Sequence, residues 1–301
     1  MSKTFAAIGI FDGVHRGHAS IISTAAREAA KAGATGMAIT FDPHPAKVIN
    51  PGRKTPSIIS TSHRIRLIKG LGIRKCEVIK FDRKFAGISP REFARDILAR
   101  KYRVAKVFVG SNFVFGKGNS GDARALKSLG NEFGFAVKVV PMVKSAGRDI
   151  SSTSIRKMIT GGDLKGAQRM LGRPVSIFGT VISGRRRGRL LGYPTANIDP
   201  HHEAIPPGGI YAVWARVKGR TYGGALFIGA APTFGEKEPS IEVHIFGLHE
   251  FIYREDIEVI FVKRLRSSRK FKDHSKLIEQ IRRDDKDARK ALGLNPNNAL
   301  H

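Results

Sequence analysis

A change of rhythm near residue 172 constrains this chain more than any other feature. Before it, short apolar runs rich in Val, Ile and Phe alternate with longer stretches of helical spacing; after it, apolar runs follow one another with only turns between them. In the first part, residues 5–11, 35–41, 75–81, 106–110 and 135–141 predict strands, and residues 18–32, 62–71, 89–101 and 122–132 predict helices. Ser89-Pro90 followed by Glu92 supplies an N-cap with proline at the first helical position. Such alternation implies a mostly parallel sheet covered on both faces, with ligands beyond the carboxyl ends of its strands. In the second part, residues 174–183, 209–217, 222–231, 240–246 and 257–262 predict strands joined by turns such as Pro206-Pro207-Gly208-Gly209. Strand following strand implies an antiparallel barrel or sandwich. A helix over 273–292, with Leu277, Ile278 and Ile281 on one face, closes the chain, and residues 295–301 read as a frayed tail. A length of 301 residues suits two domains, here expected at 1–172 and 173–301.

Composition narrows the function classes. Lys and Arg number 53 against 25 Asp and Glu, a net charge of +28. Such a surface attracts polyanions, which leaves nucleic acid, phosphate-rich small substrates such as ATP, and a generally basic host proteome as explanations. The basic residues are spread along the chain rather than held in one arm, which argues against a specific nucleic-acid partner. No apolar run approaches the roughly 18–20 residues of a membrane span, and the first residues lack the pattern of a signal peptide. The single cysteine, Cys76, sits in an apolar run and reads as packing. A reducing, cytoplasmic setting is therefore expected, and the oligomeric state is left open.

The most informative stretch is Gly9-Ile10-Phe11-Asp12-Gly13-Val14-His15-Arg16-Gly17-His18, between the first strand and the first helix. Gly9, Gly13 and Gly17 let backbone approach a ligand, and the following helix offers free N–H groups and a positive dipole end to phosphate. His15 and His18 lie on one face of the first turn and, protonated or hydrogen-bonding, suit a triphosphate. A zinc pair or two surface histidines are the plainer alternatives. Asp12 is expected to shape the turn rather than react. Three further segments fall just past expected strands: Thr40-Phe41-Asp42-Pro43-His44-Pro45, Val109-Gly110-Ser111-Asn112-Phe113, and Ile150-Ser151-Ser152-Thr153-Ser154-Ile155-Arg156, which sets hydroxyls at a helix start and an arginine one turn in.

In the second part, Gly179-Thr180-Val181-Ile182-Ser183-Gly184 precedes a basic loop, Gly184 to Gly188, suited to covering phosphates. Gly188-Arg189-Leu190-Leu191-Gly192-Tyr193-Pro194-Thr195-Ala196-Asn197 follows, and Thr195 and Asn197 offer neutral oxygens adequate for a Mg²⁺ that already carries phosphates and water. Ile241-Glu242-Val243-His244 supplies a carboxylate, and strand alternation puts Glu242 and His244 on the same face.

His15-x-Gly-His18 resembles the HxGH signature of nucleotidyltransferases, and its extended form resembles the prokaryotic bifunctional riboflavin kinase/FMN adenylyltransferase family, also called FAD synthetase. The resemblance covers roughly residues 4–292. It implies an α/β Rossmann-like nucleotidyltransferase domain followed by an antiparallel β-barrel riboflavin kinase domain with a C-terminal helix. It also implies riboflavin, FMN and ATP as substrates, FAD as product, and Mg²⁺. On this resemblance His15 and His18 are catalytic in the first domain, with Gly9, Phe11, Gly13, Gly17, Ser152, Thr153 and Arg156 around ATP and Asn112 and Phe113 near the flavin. Glu242 is the catalytic base of the second, with Gly184 and Arg189 near phosphate and Thr195 and Asn197 on Mg²⁺. Three departures stand out: Asn112 where the family usually has Asp, Phe227 where it has Asn before Ile-Gly, and a heavier arginine run at Arg185, Arg186 and Arg187. The rival expectations are a chain retaining one activity, the adenylyltransferase being the better supported, or a basic, non-catalytic nucleic-acid binder on the same fold.

Overall fold

A computed structural model describes residues 3–52, 55–145, 147–184, 192–229, 240–271 and 273–295. Two compact units emerge: residues 1–155 with 170–172, and residues 156–169 with 173–301. The first unit runs β1 (Thr4–Ile8), α1 (Arg16–Lys31), β2 (Thr35–Asp42), α2 (Pro45–Ile49), α3 (Thr61–Gly70), β3 (Lys75–Lys80), α4 (Arg83–Ala86) and α5 (Pro90–Glu92), the last continuing as a π-helix over Phe93–Lys101. Then come β4 (Val104–Gly110), a small hairpin of β5 (Val114–Phe115) and β6 (Gly121–Asp122), α6 (Ala123–Phe133), β7 (Ala136–Val140), a second hairpin of β8 (Lys144–Ser145) and β9 (Arg148–Asp149), and the first turn of α7 (Ser152–Gly161), whose residues from Arg156 on cluster with the second unit.

β1, β2, β3, β4 and β7 form one sheet in the order β3-β2-β1-β4-β7, parallel at every pairing. Alternation along the strands buries both faces, as a doubly covered sheet requires. Ile8, Ile39 and Val109 pack with Leu98 and Leu126 in one core, while α1 buries Ile22, Ala25 and Ala29 and lies against β1, β2 and β4. Helix starts follow from local chemistry. Ser60 caps α3, Ser89 and Glu92 form a reciprocal capping box, and Asp122 caps α6, which ends on Gly134 at φ 81°. One expectation needs correction. The 89–101 helix is α-helical only at its start; beyond Phe93 it widens, with the Tyr102 N–H bonding the Ile97 carbonyl. A five-residue step brings Phe93 and Leu98, both buried, onto one side facing the core.

The second unit holds α8 (Leu164–Leu171) up to Arg169, then β10 (Ser176–Ile182), β11 (Ala196–Asp199), β12 (Gly209–Val217), β13 (Arg220–Gly229), β14 (Ser240–Ile245), β15 (Asp256–Arg266) and α9 (His274–Ala291). Its six strands close a barrel in the order β10-β11-β14-β13-β12-β15, all antiparallel. Tyr211, Leu226 and Val243 occupy paired positions and are fully buried inside it. The alternate residues face outward: Ala212 and Ala225 pack with Phe246 against Ala288 of α9. That helix is tied down by charge as well. Arg266 grips both oxygens of Asp284 at 2.8 and 2.6 Å, Arg289 donates to Asp285 at 2.9 Å, and the Arg289 guanidinium sits 4.0 Å over the Phe246 ring. β11 has no counterpart among the expected strands, because its residues read as a polar motif.

Gly179 on β10 is where β11 approaches most closely: a Cβ there would lie 1.9 Å from the Asp199 carbonyl oxygen. Neither backbone can yield without opening the barrel. Gly179→Ala should therefore lower stability by about 1–3 kcal/mol. Trp214, the chain's one tryptophan, lies on β12 and reports barrel unfolding by fluorescence. An unchanged denaturation midpoint would refute the close approach.

Candidate active sites

β1 is flanked by β2 on one side and β4 on the other, so the sheet's order reverses there, the place where open α/β sheets bind ligands. The loop that follows β1 is strained. Phe11 and Val14 hold φ of 52° and 39° beside Gly13 at 81°. For a side chain as bulky as these, left-handed backbone costs about 1–3 kcal/mol per residue and persists only where neighbours over-determine it. Several contacts do so here. Both Asp12 carboxylate oxygens accept the Ile58 N–H, at 3.0 and 3.2 Å, so Asp12 does shape the turn. Ser152 Oγ donates to the Asp12 carbonyl at 3.0 Å. Thr40 Oγ1 and Arg64 Nη1 donate to the Ile10 carbonyl at 2.9 and 3.0 Å. Gly9 is required because a Cβ would sit 2.7 Å from the Phe11 ring. At Gly17 a Cβ would press on the His15 ring at 3.2 Å.

The strained loop delivers His15 to the N-cap of α1, where its Nδ1 accepts the His18 N–H at 3.3 Å. The His18 ring stacks on His15, centroids 3.6 Å apart, and meets Phe11 edge-on at 5.4 Å. Burial, reinforced by His15 and then Arg64, holds the His18 imidazole well below the ordinary histidine range. His18 is thus neutral at neutral pH, with a buried Nδ1 that has no hydrogen-bond partner. Of the two modes open in the sequence, His18 offers hydrogen bonding rather than charge, and the dipole of α1 supplies positive potential.

The other expected residues of this unit fall at the same edge or close to it in sequence. Asn112 and Phe113 follow β4. Asn112 is exposed, while Phe113 is half-buried, stacks on Phe115 at 5.5 Å and packs against the sheet's core. Ser151 Oγ accepts the Ser154 N–H at 3.1 Å, so Ser152 and Thr153 stand in the first turn of α7. Arg156 lies one turn on, in the segment that clusters with the second unit. His44 is a helix cap, its Nδ1 accepting the Ala46 N–H at 3.1 Å. Sequence reasoning passed over Arg64, which contacts the loop from far along the chain with no motif to mark it; Thr40 heads the Thr40–Pro45 segment singled out in the sequence, though with no role of its own.

In the second unit β11 does the assembling. It pairs with β14 so that Asn197 stands opposite Glu242, and Phe227 flanks Glu242 from β13. Thr195 Oγ1 donates to Glu242 Oε2 at 3.1 Å, and Ser240 Oγ donates to Oε1 at 2.9 Å. Gly184 is packed so closely that a Cβ would lie 1.9 Å from the Asn197 amide nitrogen. His244 Nδ1 bonds the Pro194 carbonyl at 2.8 Å, fixing the turn before Thr195, and burial lowers its imidazole below the usual range. Because a carbonyl can only accept, Nδ1 carries the proton. The expected residue Arg189, with Gly188, the Arg185, Arg186 and Arg187 run and Pro232-Thr233-Phe234, lies outside the described residues. Ser240 was not expected as a site residue, though strand alternation with Glu242 could have marked it as it marked His244, which was placed on the Glu242 face without a role.

Comparison with known proteins agrees with this geometry. The FAD synthetase family model matches residues 1–154 and the riboflavin kinase model matches residues 171–292. The chain is 37% identical over 293 residues to the bifunctional riboflavin kinase/FMN adenylyltransferase of Bacillus subtilis, covering 95% of this chain and 92% of that one. It is 32% identical over 288 residues to the protein of the same name from Escherichia coli K12, with the same coverage. A solved structure described as a macrolide-efflux protein from Streptococcus pneumoniae superposes with a TM-score of 0.79 at 30% identity, covering 96% of this chain and 94% of that one. Efflux is said of that protein; among the described residues here, no helix is long and apolar enough to cross a membrane. Both enzyme domains are present in one chain, which belongs to the bifunctional riboflavin kinase/FMN adenylyltransferase family of flavin cofactor biosynthesis.

Proposed function

We propose that the two activities divide at residues 1–172 and 173–301, FMN adenylylation in the first and riboflavin phosphorylation in the second. The observation that carries this division is that the 9–18 loop and the set of Thr195, Asn197 and Glu242 each close within one compact unit. In the first, a phosphate oxygen of FMN attacks the α-phosphorus of ATP and pyrophosphate leaves. Little covalent work falls to the protein, so positioning and charge stabilisation dominate. His15 and His18 at the start of α1 hydrogen-bond the triphosphate, and Gly9, Phe11, Gly13 and Gly17 shape the backbone that receives it. Ser152, Thr153 and Arg156 contribute hydroxyls and a guanidinium from α7. Asn112 and Phe113 border the flavin, Asn112 contributing hydrogen bonds without charge.

In the second, Glu242 takes the proton of the riboflavin 5′-hydroxyl, the oxygen attacks the γ-phosphorus, and ADP leaves. The Ser240 and Thr195 hydroxyls hold one carboxylate oxygen each, which fixes the direction in which Glu242 accepts that proton. Mg²⁺ fits the donors present: Thr195 and Asn197 are neutral hard oxygens beside one carboxylate. When bound, Mg²⁺ neutralises phosphate charge. Gly184 and Arg189 lie toward the phosphates. The cytoplasm, where ATP is abundant, is the setting of both steps.

His18→Ala should cut FAD formation from FMN and ATP by about 100-fold or more while FMN formation from riboflavin continues, both followed by chromatography. Loss of both steps with the fold intact would sink the division. Glu242→Gln should show the reverse, losing about 100-fold or more of FMN formation and keeping adenylylation of added FMN. Full kinase activity in that variant would remove Glu242 from its role.

A further inference from the structure

Arg64, on α3, is almost fully buried, at 4% exposure, and its guanidinium lies 3.9 Å from the carboxylate of Asp42 at the end of β2. It is turned onto the functional edge of the parallel sheet. Nη1 donates to the carbonyl of Ile10, just past β1, at 3.0 Å; Nη2 donates to the carbonyl of Phe41, near the end of β2, at 2.9 Å. Nη2 also reaches Thr61 Oγ1 at 3.0 Å, which in turn donates to Asp42 Oδ1 at 2.6 Å. One planar fork thus ties together the exits of two adjacent parallel strands. The Ile10 carbonyl directly precedes Phe11, the first residue forced to positive φ. A strained loop keeps its shape only while such anchors hold it, and an error of about 1 Å in a reacting geometry can cost about 100-fold in rate.

We infer that Arg64 is a positioning residue for adenylyl transfer, locking the strained 9–18 loop, and with it the stacked His15 and His18 rings, onto the end of β2. The inference rests on the reading that this loop carries the adenylylation step. Arginine suits the task because its donors diverge in one fixed plane and can serve two carbonyls at once, whereas a lysine ammonium is a single point. Arg64 also places a fixed positive charge beside His18.

The test uses the full chain, whose kinase step provides an internal reference in the other unit. Arg64→Met removes every donor while keeping length and apolar bulk, and Arg64→Lys restores a single donor nitrogen with its charge. We expect kcat for FMN adenylylation to fall about 10- to 100-fold in Arg64→Met, with KM for ATP and FMN moving less than about threefold. FMN formation should match wild type. Arg64→Lys should recover to within about fivefold of wild-type kcat. A thermal melt of each variant separates this from a folding defect, since a purely structural role would lower the melting temperature and active fraction with no kcat change per folded molecule. That result, or an Arg64→Met variant with wild-type kcat, would overturn the inference. If His18→Ala still made FAD normally, the underlying assignment of the loop would fail instead, and the two failures are distinct.

Discussion

Two backbone carbonyls, of Ile10 and Phe41, end neighbouring parallel strands at an edge where the sheet has no further N–H groups to give them. A buried carbonyl without a donor costs about 1–3 kcal/mol, so the edge needs donors from elsewhere. Arg64 supplies both, and Thr40 adds a second to Ile10. The rest of the first unit's edge depends on this solution. With Ile10 fixed, the chain turns through Phe11, Gly13 and Val14 in left-handed backbone, Asp12 is drawn to Ile58, and His15 arrives as the cap of α1. The histidine pair is therefore a consequence of how the strands are terminated. Its neutral His18 follows too, because the packing that orders the ring excludes the water a charged imidazole would need.

The barrel solves a related problem with a strand instead of a side chain. β11 is four residues long, yet it closes the gap between β10 and β14. A strand so short cannot contribute much apolar burial. Its value lies in register: pairing Asn197 with Glu242 puts the amide beside the carboxylate, and Thr195 follows from the turn that His244 holds through Pro194. Around the barrel from this set, α9 covers the outer face with a stripe that is partly ionic. Asp284, Asp285 and Arg289 are buried there because each has a charged partner, and Arg289 spends its apolar face on Phe246.

Periodicity was enough to read the layering of both units. Alternating strands and helices dictate the parallel sheet, and successive strands dictate the antiparallel barrel; the apolar stripe of α9 at Leu277, Ile278 and Ile281 was equally plain. β11 escaped because Ala-Asn-Ile-Asp is only four residues long and overlaps the Pro-Thr-Ala-Asn motif, and only closure of the barrel makes it a strand. The π-helical stretch escaped because Phe93 with Ile97, and Ala94 with Leu98, repeat at the four-residue spacing of an α-helix. Within the sites, residues on one continuous motif, such as Gly9, Gly13, Gly17, His15 and His18, were visible from local chemistry. Arg64 was not, since its two carbonyl partners lie 54 and 23 positions away and backbone carbonyls leave no trace in a sequence. Ser240 shows the limit from the other side: it is two residues from Glu242, but its role appears only when the carboxylate's direction is known.

A net charge of +28 takes on a more specific meaning once the first site is seen to lack a charged His18. ATP and FMN are anions, while riboflavin is neutral, so a general positive field concentrates two of the three substrates and leaves the third indifferent. Such a field acts over about 8 Å at physiological ionic strength and fades with salt, which makes it a matter of encounter rather than of chemistry. Under the proposed assignment, selectivity inside the site rests on directed groups: the N–H groups at the head of α1, the stacked imidazoles and the backbone of a loop bent around glycines. A neutral, half-buried imidazole has an advantage in that proposed role. In the role proposed for it, His18 would bond a phosphate oxygen in a fixed direction without first being stripped of the hydration that a protonated ring would hold.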